Sequence, residues 1–467
     1  MALEGTTLAG PELLLVLRRD GPAPLRAQLE EGLRAAVRDG RLAAGARLPA
    51  SRLMARDLGV SRRLVVEAYE QLAAEGYLEA RTGAGTYVRG DAAGAQSPAA
   101  AVAPEPSPRF DFFPGAPDLA GFPRGEWLRC LREVLRRAPD HALGYPDVQG
   151  APELRSELAA YLRRARGVDA APERIVICTG AVQALAVLVR ALGDRPRVGI
   201  EDPYVPDHRL ALDQAGADVV PLPVDSEGLR LDALEAAAVD AVVATPAHQC
   251  MLGMALSRAR RAGLAEWARG TGFAVEDDFD AEFRYDRIPL GAVQGLAPDR
   301  VVYLGSASKV LAPALRLTWL VLPAALVGEA VRAKRLADRG TPTLEQLALA
   351  RLIATGRLDR HLRIMRRRYR ARRDALAGAL AELGTGWRLE GVSAGLAAVA
   401  RPPAPVGERA LFEAARARSV GVYPVGWAYA APRPAGGAVL LGYAGLPEPA
   451  IREGVRRLAG AYRDAAG

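Results

Sequence analysis

The sequence predicts an α/β protein in two parts: a small winged helix–turn–helix, then a mixed, mostly parallel sheet carrying a smaller α+β lobe. Three observations lead there. Residues 91–108 read DAAGAQSPAAAVAPEPSP, with seven alanines, four prolines and no large aromatic, so they bury little and read as a linker. This stretch divides the 467 residues into 1–90 and 109–467. The first part places three short helical patterns ahead of a glycine turn between two β-rich runs. The second alternates strand-like and helix-like runs, as a parallel sheet covered on both faces does.

Within 1–90, Leu25, Leu29, Leu33 and Val37 recur every four residues, the buried stripe of one helix. LPAS (48–51) offers Ser51 as the cap of a second helix running to about Leu58. Gly59 stops it, and Ser61 caps a third helix with the apolar face Leu64, Val65, Ala68, Tyr69 and Leu72. Tyr77–Ala80 and Thr86–Val88 flank ARTGAG, a turn suited to a hairpin. Helix, helix–turn–helix and hairpin in that order make a winged helix.

In 109–467, RIVICTG precedes the helical run AVQALAVLVRAL, and RVGIED, DAVVATP, FAVEDDFD and VVYLGSASK follow as further strands. Loops at the carboxyl ends of such strands are where ligands bind. Here they are rich in Ser, Asp, His and Lys. From about Leu344 long helices alternate with short strands, which reads as the smaller lobe. The run RHLRIMRRRYRARR (360–373) holds eight arginines, but Leu362, Met365 and Tyr369 fall at helical spacing. It is therefore expected to be a solvated amphipathic helix rather than a nucleic-acid arm.

Composition narrows the rest. Hydrophobic content of 50% with 25% charged residues is that of a globular protein. No apolar run approaches the roughly 18–20 residues that cross a bilayer. Glu4 and Glu12 near the N-terminus, with no basic stretch before Leu13–Leu17, argue against a secretory signal. Cys130, Cys178 and Cys250 form no CxxC, which fits a reducing cytoplasm. Four histidines far apart in sequence give no support for a metal centre. Of 62 basic residues 60 are arginine, so chemistry that needs a side-chain primary amine has only Lys309 and Lys334.

The third helix presents Ser61, Arg62 and Arg63 at its amino end, the end of a recognition helix that enters the major groove. Arginine there can donate two hydrogen bonds to guanine. Arg52 opens the preceding helix, and Arg81, Thr82 and the backbone at Gly83–Gly85 form the wing tip. Residues 1–90 hold 13 arginines against 11 acidic residues, so charge is placed rather than abundant. The stretch from Pro24 to Val88 resembles the GntR-type winged helix along its whole length. The resemblance places DNA contacts at Arg52, Arg62 and the wing glycine Gly85, with a double-stranded operator as partner.

Lys309 lies in GSASK directly after a strand, with Arg316 seven residues on. A lysine at a strand end can form a Schiff base, while serine and arginine nearby can hold a phosphate. Asp277 in VEDDFD can pair with a protonated ring nitrogen. FFPGAPDLAGFPRGEWLRCL, GYPDVQGAPELRSELAAYLRR, ATPAHQ, VEDDFDAEFRY and YLGSASKVLAPALRL resemble landmarks of the class I, fold-type I pyridoxal phosphate (PLP)-dependent aminotransferases, from about Phe110 to Leu446. A GntR winged helix fused to that fold is the arrangement of the MocR-type transcription regulators. The resemblance implies PLP on Lys309, Asp277 facing the pyridine nitrogen, and Ser306 and Arg316 on the phosphate. It also implies a homodimer in which Tyr145 reaches the partner's phosphate.

Departures from that pattern are equally specific. A hydroxyl expected after Gly180 is Ala181, leaving the backbone amides of Ala181 and Val182 to serve the phosphate. The ring-stacking aromatic expected before Pro206 is Val205, with Tyr204 one place earlier. The tyrosine that donates to the ring hydroxyl is Phe279, and the PTG turn is Met251, Leu252 and Gly253. The arginine that grips an amino-acid carboxylate falls at Leu440. Two readings of the pocket follow: a PLP site used as a sensor for an amine or amino-acid-like effector, or a scaffold that has lost the cofactor. A working aminotransferase tethered to DNA is the rival. Transaminase turnover is not expected, and no residue is assigned a catalytic role.

Overall fold

The computed structural model describes residues 15–81, 85–89, 108–285, 290–384, 386–391, 394–431 and 436–466. The chain forms two compact units, 1–106 and 107–467. Except for Pro108, the expected linker 91–108 lies outside the described residues, as does Thr82.

In the first unit α1 spans Leu25–Arg38, α2 Ser51–Asp57 and α3 Arg62–Ala74. Strands β1 (Leu78–Arg81) and β2 (Gly85–Val88) pair antiparallel, with Leu78 opposite Val88. Most of the expected core is buried, Leu29, Leu33, Val37, Val65, Ala68, Tyr69 and Leu72 packing against Met54 and Leu48, whereas Leu25 in the first turn of α1 and Leu64 near the start of α3 are only half-buried. One expectation is corrected. Ser51 is not the cap of α2; Ala50 occupies that position without a side-chain bond, and Ser51 is the first helical residue. Its hydroxyl instead accepts from Arg62 Nε at 3.4 Å across the turn. Ser61 does cap α3, accepting from the Leu64 amide at 3.3 Å.

The second unit opens with β3 (Phe110–Asp111), α4 (Arg124–Arg137) and α5 (Pro152–Arg166). Its sheet is then built from β4 (Ile175–Cys178), α6 (Ala181–Leu192), β5 (Arg197–Asp202), α7 (Pro206–Gln214), β6 (Asp218–Asp225) and β7 (Gly228–Leu229). There follow α8 (Leu231–Ala236), β8 (Ala241–Ala244), α9 (Arg258–Gly270), β9 (Phe273–Asp278), β10 (Val301–Ser306), α10 (Ala307–Val310) and β11 (Thr318–Val321). The strand order is β4-β11-β10-β9-β8-β5-β6-β7. Strands β10, β9, β8, β5 and β6 run parallel, while β11 is antiparallel to both its neighbours. Strands β4 and β8 are buried throughout and β10 up to its last residue, which is why they read as apolar runs rather than alternating ones.

Helices α11 (Ala324–Asp338), α12 (Thr343–Ala354) and α13 (Arg357–Glu382) lead to the smaller lobe. That lobe contains β12 (Arg388–Glu390), β13 (Ala397–Arg401), α14 (Glu408–Ala417), β14 (Val420–Gly421), β15 (Tyr423–Pro424), β16 (Val439–Gly442) and α15 (Glu448–Ala466). A four-stranded sheet β12-β13-β16-β15 holds it together. The arginine-rich run lies inside α13, and it is more than a solvated face. Leu362, Met365 and Tyr369 are buried, but Arg368 and Arg372 also pair with buried Asp118, and Arg366 donates to the Glu282 carbonyl. Helical spacing locates the apolar side chains; it does not reveal which arginines are drawn inward by a buried carboxylate.

Candidate nucleic-acid interface and cofactor site

In the winged helix, Arg52, Ser61, Arg62 and Arg63 are exposed around the start of α3. Arg63 is braced by Glu67 at 2.7 Å, one turn along, and Arg62 leans on Ser51. At the wing, Arg81 stacks on Tyr87 with its guanidinium 4.6 Å from the ring centroid and pairs with Glu79. Gly85 has φ +112°, and a Cβ there would lie 3.0 Å from Arg47 Nε. That glycine therefore lets exposed Arg47 lie along the wing. Arg47 was not singled out from the sequence, because its approach to Gly85 depends on the hairpin closing 38 positions away.

In the larger unit the carboxyl ends of β4, β5, β8, β9 and β10 converge, as the alternation of strands and helices requires. Ser306 ends β10 and caps α10, its hydroxyl accepting from the Ser308 amide at 3.1 Å and lying 3.1 Å from Thr318 Oγ1. Lys309 follows on α10 and donates from Nζ to the Gly115 carbonyl at 2.6 Å. Burial lowers its pKa, against the opposing pull of Asp280 and Asp277, so the amine is held nearer its neutral, nucleophilic form.

Asp277 is buried at the end of β9 and accepts a 2.6 Å hydrogen bond from the Tyr204 hydroxyl. His208 Nδ1 stands 3.7 Å from the same oxygen. Burial raises the Asp277 pKa, while His208 and Tyr204 pull it back toward the ionised form. Burial likewise lowers the pKa of His208. Shifting the tyrosine one place earlier than the pattern thus gives its hydroxyl to Asp277, and half-buried Val205 takes the following position. Neither contact was legible in the sequence, since 73 positions separate Tyr204 from its acceptor. Gln249 repairs the missing PTG turn: its side-chain oxygen accepts from the Met251 and Leu252 amides at 2.9 and 2.7 Å.

The phosphate candidates are distributed around the start of α6. Gly180 precedes the helix with φ +150° and no side-chain cap, and a Cβ there would fall 2.2 Å from Arg316 Nη2. Only glycine admits that guanidinium against the helix start, where the amides of Ala181 and Val182 begin the turn. Arg316, exposed, is itself held at φ 51°. Tyr145 lies apart, 83% exposed, with Arg339 stacked over its ring at 4.6 Å. His248 is buried with Nδ1 3.1 Å from Asp280. Phe279 lies beside it, ring centroids 6.2 Å apart.

Comparison with known proteins bears on both units. Residues 25–88 match the gntR family of bacterial regulatory proteins, and residues 120–458 match aminotransferase class I and II. The probable rhizopine catabolism regulatory protein MocR of Rhizobium meliloti is 35% identical over 96% of this chain and 96% of its own length. The chain belongs to the MocR-type GntR-family transcription regulators. Among other regulators of this type, the pyridoxine biosynthesis regulator PdxR of Corynebacterium glutamicum is 34% identical over 83% of this chain and 85% of its own. TauR of Rhodobacter capsulatus is 30% identical over 98% and 100%.

Of solved structures, the multiple substrate aminotransferase of Thermococcus profundus superposes with a TM-score of 0.71 at 27% identity, covering 78% of this chain and 93% of that one. LysN, an α-aminoadipate aminotransferase of Thermus thermophilus complexed with N-(5'-phosphopyridoxyl)-L-leucine, gives 0.70 at 28%, covering 76% and 92%. The MocR-type chain is therefore a GntR-type transcription regulator, with a DNA-binding winged-helix module joined to a fold-type I aminotransferase-like unit. No helix among the described residues is long and apolar enough to cross a membrane.

Proposed function

We propose that this regulator binds its operator through Arg52, Ser61, Arg62, Arg63, Arg81, Thr82 and Gly85, and that the aminotransferase-like unit senses PLP and/or a small amine- or amino-acid-like ligand. The observation that carries the cofactor reading is the Lys309 amine, its pKa lowered by burial, at the same strand ends as buried Asp277. The residues present fit the group in three respects: the amine, the carboxylate, and the Gly180–Arg316 cradle that a Cβ would fill. Lys309 would anchor the cofactor covalently, Asp277 would face its ring nitrogen, and Ser306, Arg316 and the amides of Ala181 and Val182 would hold its phosphate. When bound, PLP supplies an aldehyde that captures amines and a ring that draws electrons.

The chain's own residues then set the limits. Tyr204 holds Asp277 toward its ionised form, and Gly115 orients the Lys309 amine. Val205 offers no aromatic face and Phe279 no hydrogen-bond donor, which favours sensing over turnover and is the basis of the alternative, a pocket without PLP. We further propose the division 1–90, 91–108 and 109–467, a cytoplasmic homodimer with Tyr145 reaching the partner's phosphate, and two winged helices on repeated or inverted half-sites.

The test is binding of the purified protein to DNA from upstream of its own coding sequence, with and without PLP, beside Lys309→Ala. PLP-dependent affinity in the wild type alone is the expected result. Binding that ignores PLP in both proteins would remove the sensor reading.

A further inference from the structure

An aromatic ring stands beside the Lys309 amine. A Cβ on Gly115 would lie 2.9 Å from the Phe113 ring and 3.3 Å from Lys309 Nζ, so the ring and the amine flank one point. Phe113 is 48% exposed and packs edge-on against Tyr423, ring centroids 5.3 Å apart. Tyr423 pairs across the strands with Leu440, and Leu440 is buried with Ala397, Val399, Val425 and Ala438. Half-buried Met251 and Leu252 close the cluster from the large-sheet side. The charges that act on the amine are acidic, Asp280 and Asp277.

We infer that the effector of this pocket is a primary amine with an apolar or aromatic tail and no carboxylate. A carboxylate directed at the Leu440 cluster would be stripped of water among apolar side chains, and Asp277 and Asp280, whose charges act on Lys309, would repel it. A hydrocarbon tail laid on Phe113, Tyr423 and Met251 would instead bury apolar surface. The inference rests on the PLP site proposed above, and it specifies the chemistry that site accepts.

The experiment is calorimetric titration of PLP-loaded protein with phenethylamine and with phenylalanine, which differ by the carboxylate alone. Phenethylamine is expected to bind at least about tenfold more tightly. Leu440→Arg is expected to abolish or reverse that ratio. Met251→Arg, at the half-buried edge of the cluster, does the same if the buried substitution prevents folding. Equal or tighter binding of phenylalanine to wild-type protein that retains PLP overturns the inference and leaves the cofactor reading standing. If the protein retains no PLP after desalting, the cofactor reading fails and this inference fails with it.

Discussion

Replacing Tyr204 by phenylalanine keeps the ring and deletes the hydroxyl that reaches Asp277. The 2.6 Å contact joins a phenol to a carboxylate, both nearly sealed from water, so no solvent molecule can take the donor's place. A hydrogen bond to a charged group contributes about 1.5–3 kcal/mol, and loss of stability in that range is expected in urea unfolding. The sign with pH follows from the shift. Burial raises the Asp277 pKa and the Tyr204 hydrogen bond opposes that rise, so the bond favours the ionised carboxylate. The difference between variant and wild type is therefore fully present when Asp277 is ionised and shrinks as pH falls through its folded pKa. PLP retention should fall in parallel, because a carboxylate that protonates more readily is a weaker partner for a ring nitrogen. A variant as stable as wild type that retains PLP equally well would show that the tyrosine acts through its ring face alone, and the assignment of its hydroxyl would be wrong.

Three further outcomes follow from the same geometry. Gly180→Ala would force Arg316 from the start of α6 and strain a backbone at φ +150°, costing about 1–3 kcal/mol in stability and weakening PLP binding, read by thermal unfolding and cofactor titration. Arg62→Ala should weaken operator binding about tenfold or more, with a shallower salt dependence if the lost contact is to phosphate; unchanged affinity would take Arg62 off the interface. Burial raises buried Glu201 from 4.5 to about 7, although Thr245 and Gln249 donate to it. Its contribution to stability is present below the unfolded value and is lost as pH rises through about 7. Glu201→Gln should therefore flatten a slope of about 3 kcal/mol across that window in pH-dependent denaturation.

What the sequence disclosed depended on how local the physics was. Strands β4, β5, β8, β9 and β10 were legible because the largely buried strands of such a sheet read as short apolar runs closed by polar ends. The winged helix was legible because its core repeats at helical spacing and its turns carry glycine. Lys309, Asp277 and Arg316 stood out from motif and scarcity, Lys309 as one of two lysines. What stayed hidden was set by distant parts of the chain. Examples are the Tyr204–Asp277 hydrogen bond, the Asp118 carboxylate that draws in Arg368 and Arg372, and the packing of Phe113 and Tyr423 above the amine. Ser51 failed as a cap for a subtler reason: the extended residue before α2 is Ala50, so the serine falls inside the helix and turns its hydroxyl toward Arg62.

The most direct test of the sensor account is a visible absorption spectrum of the purified protein, incubated with PLP and then desalted, beside Lys309→Ala treated the same way. The account predicts a retained band in the wild type that is lost in the variant, which would assign the cofactor to Lys309. No retained band in either protein would contradict the cofactor assignment and leave a DNA-binding regulator whose pocket answers to some other ligand.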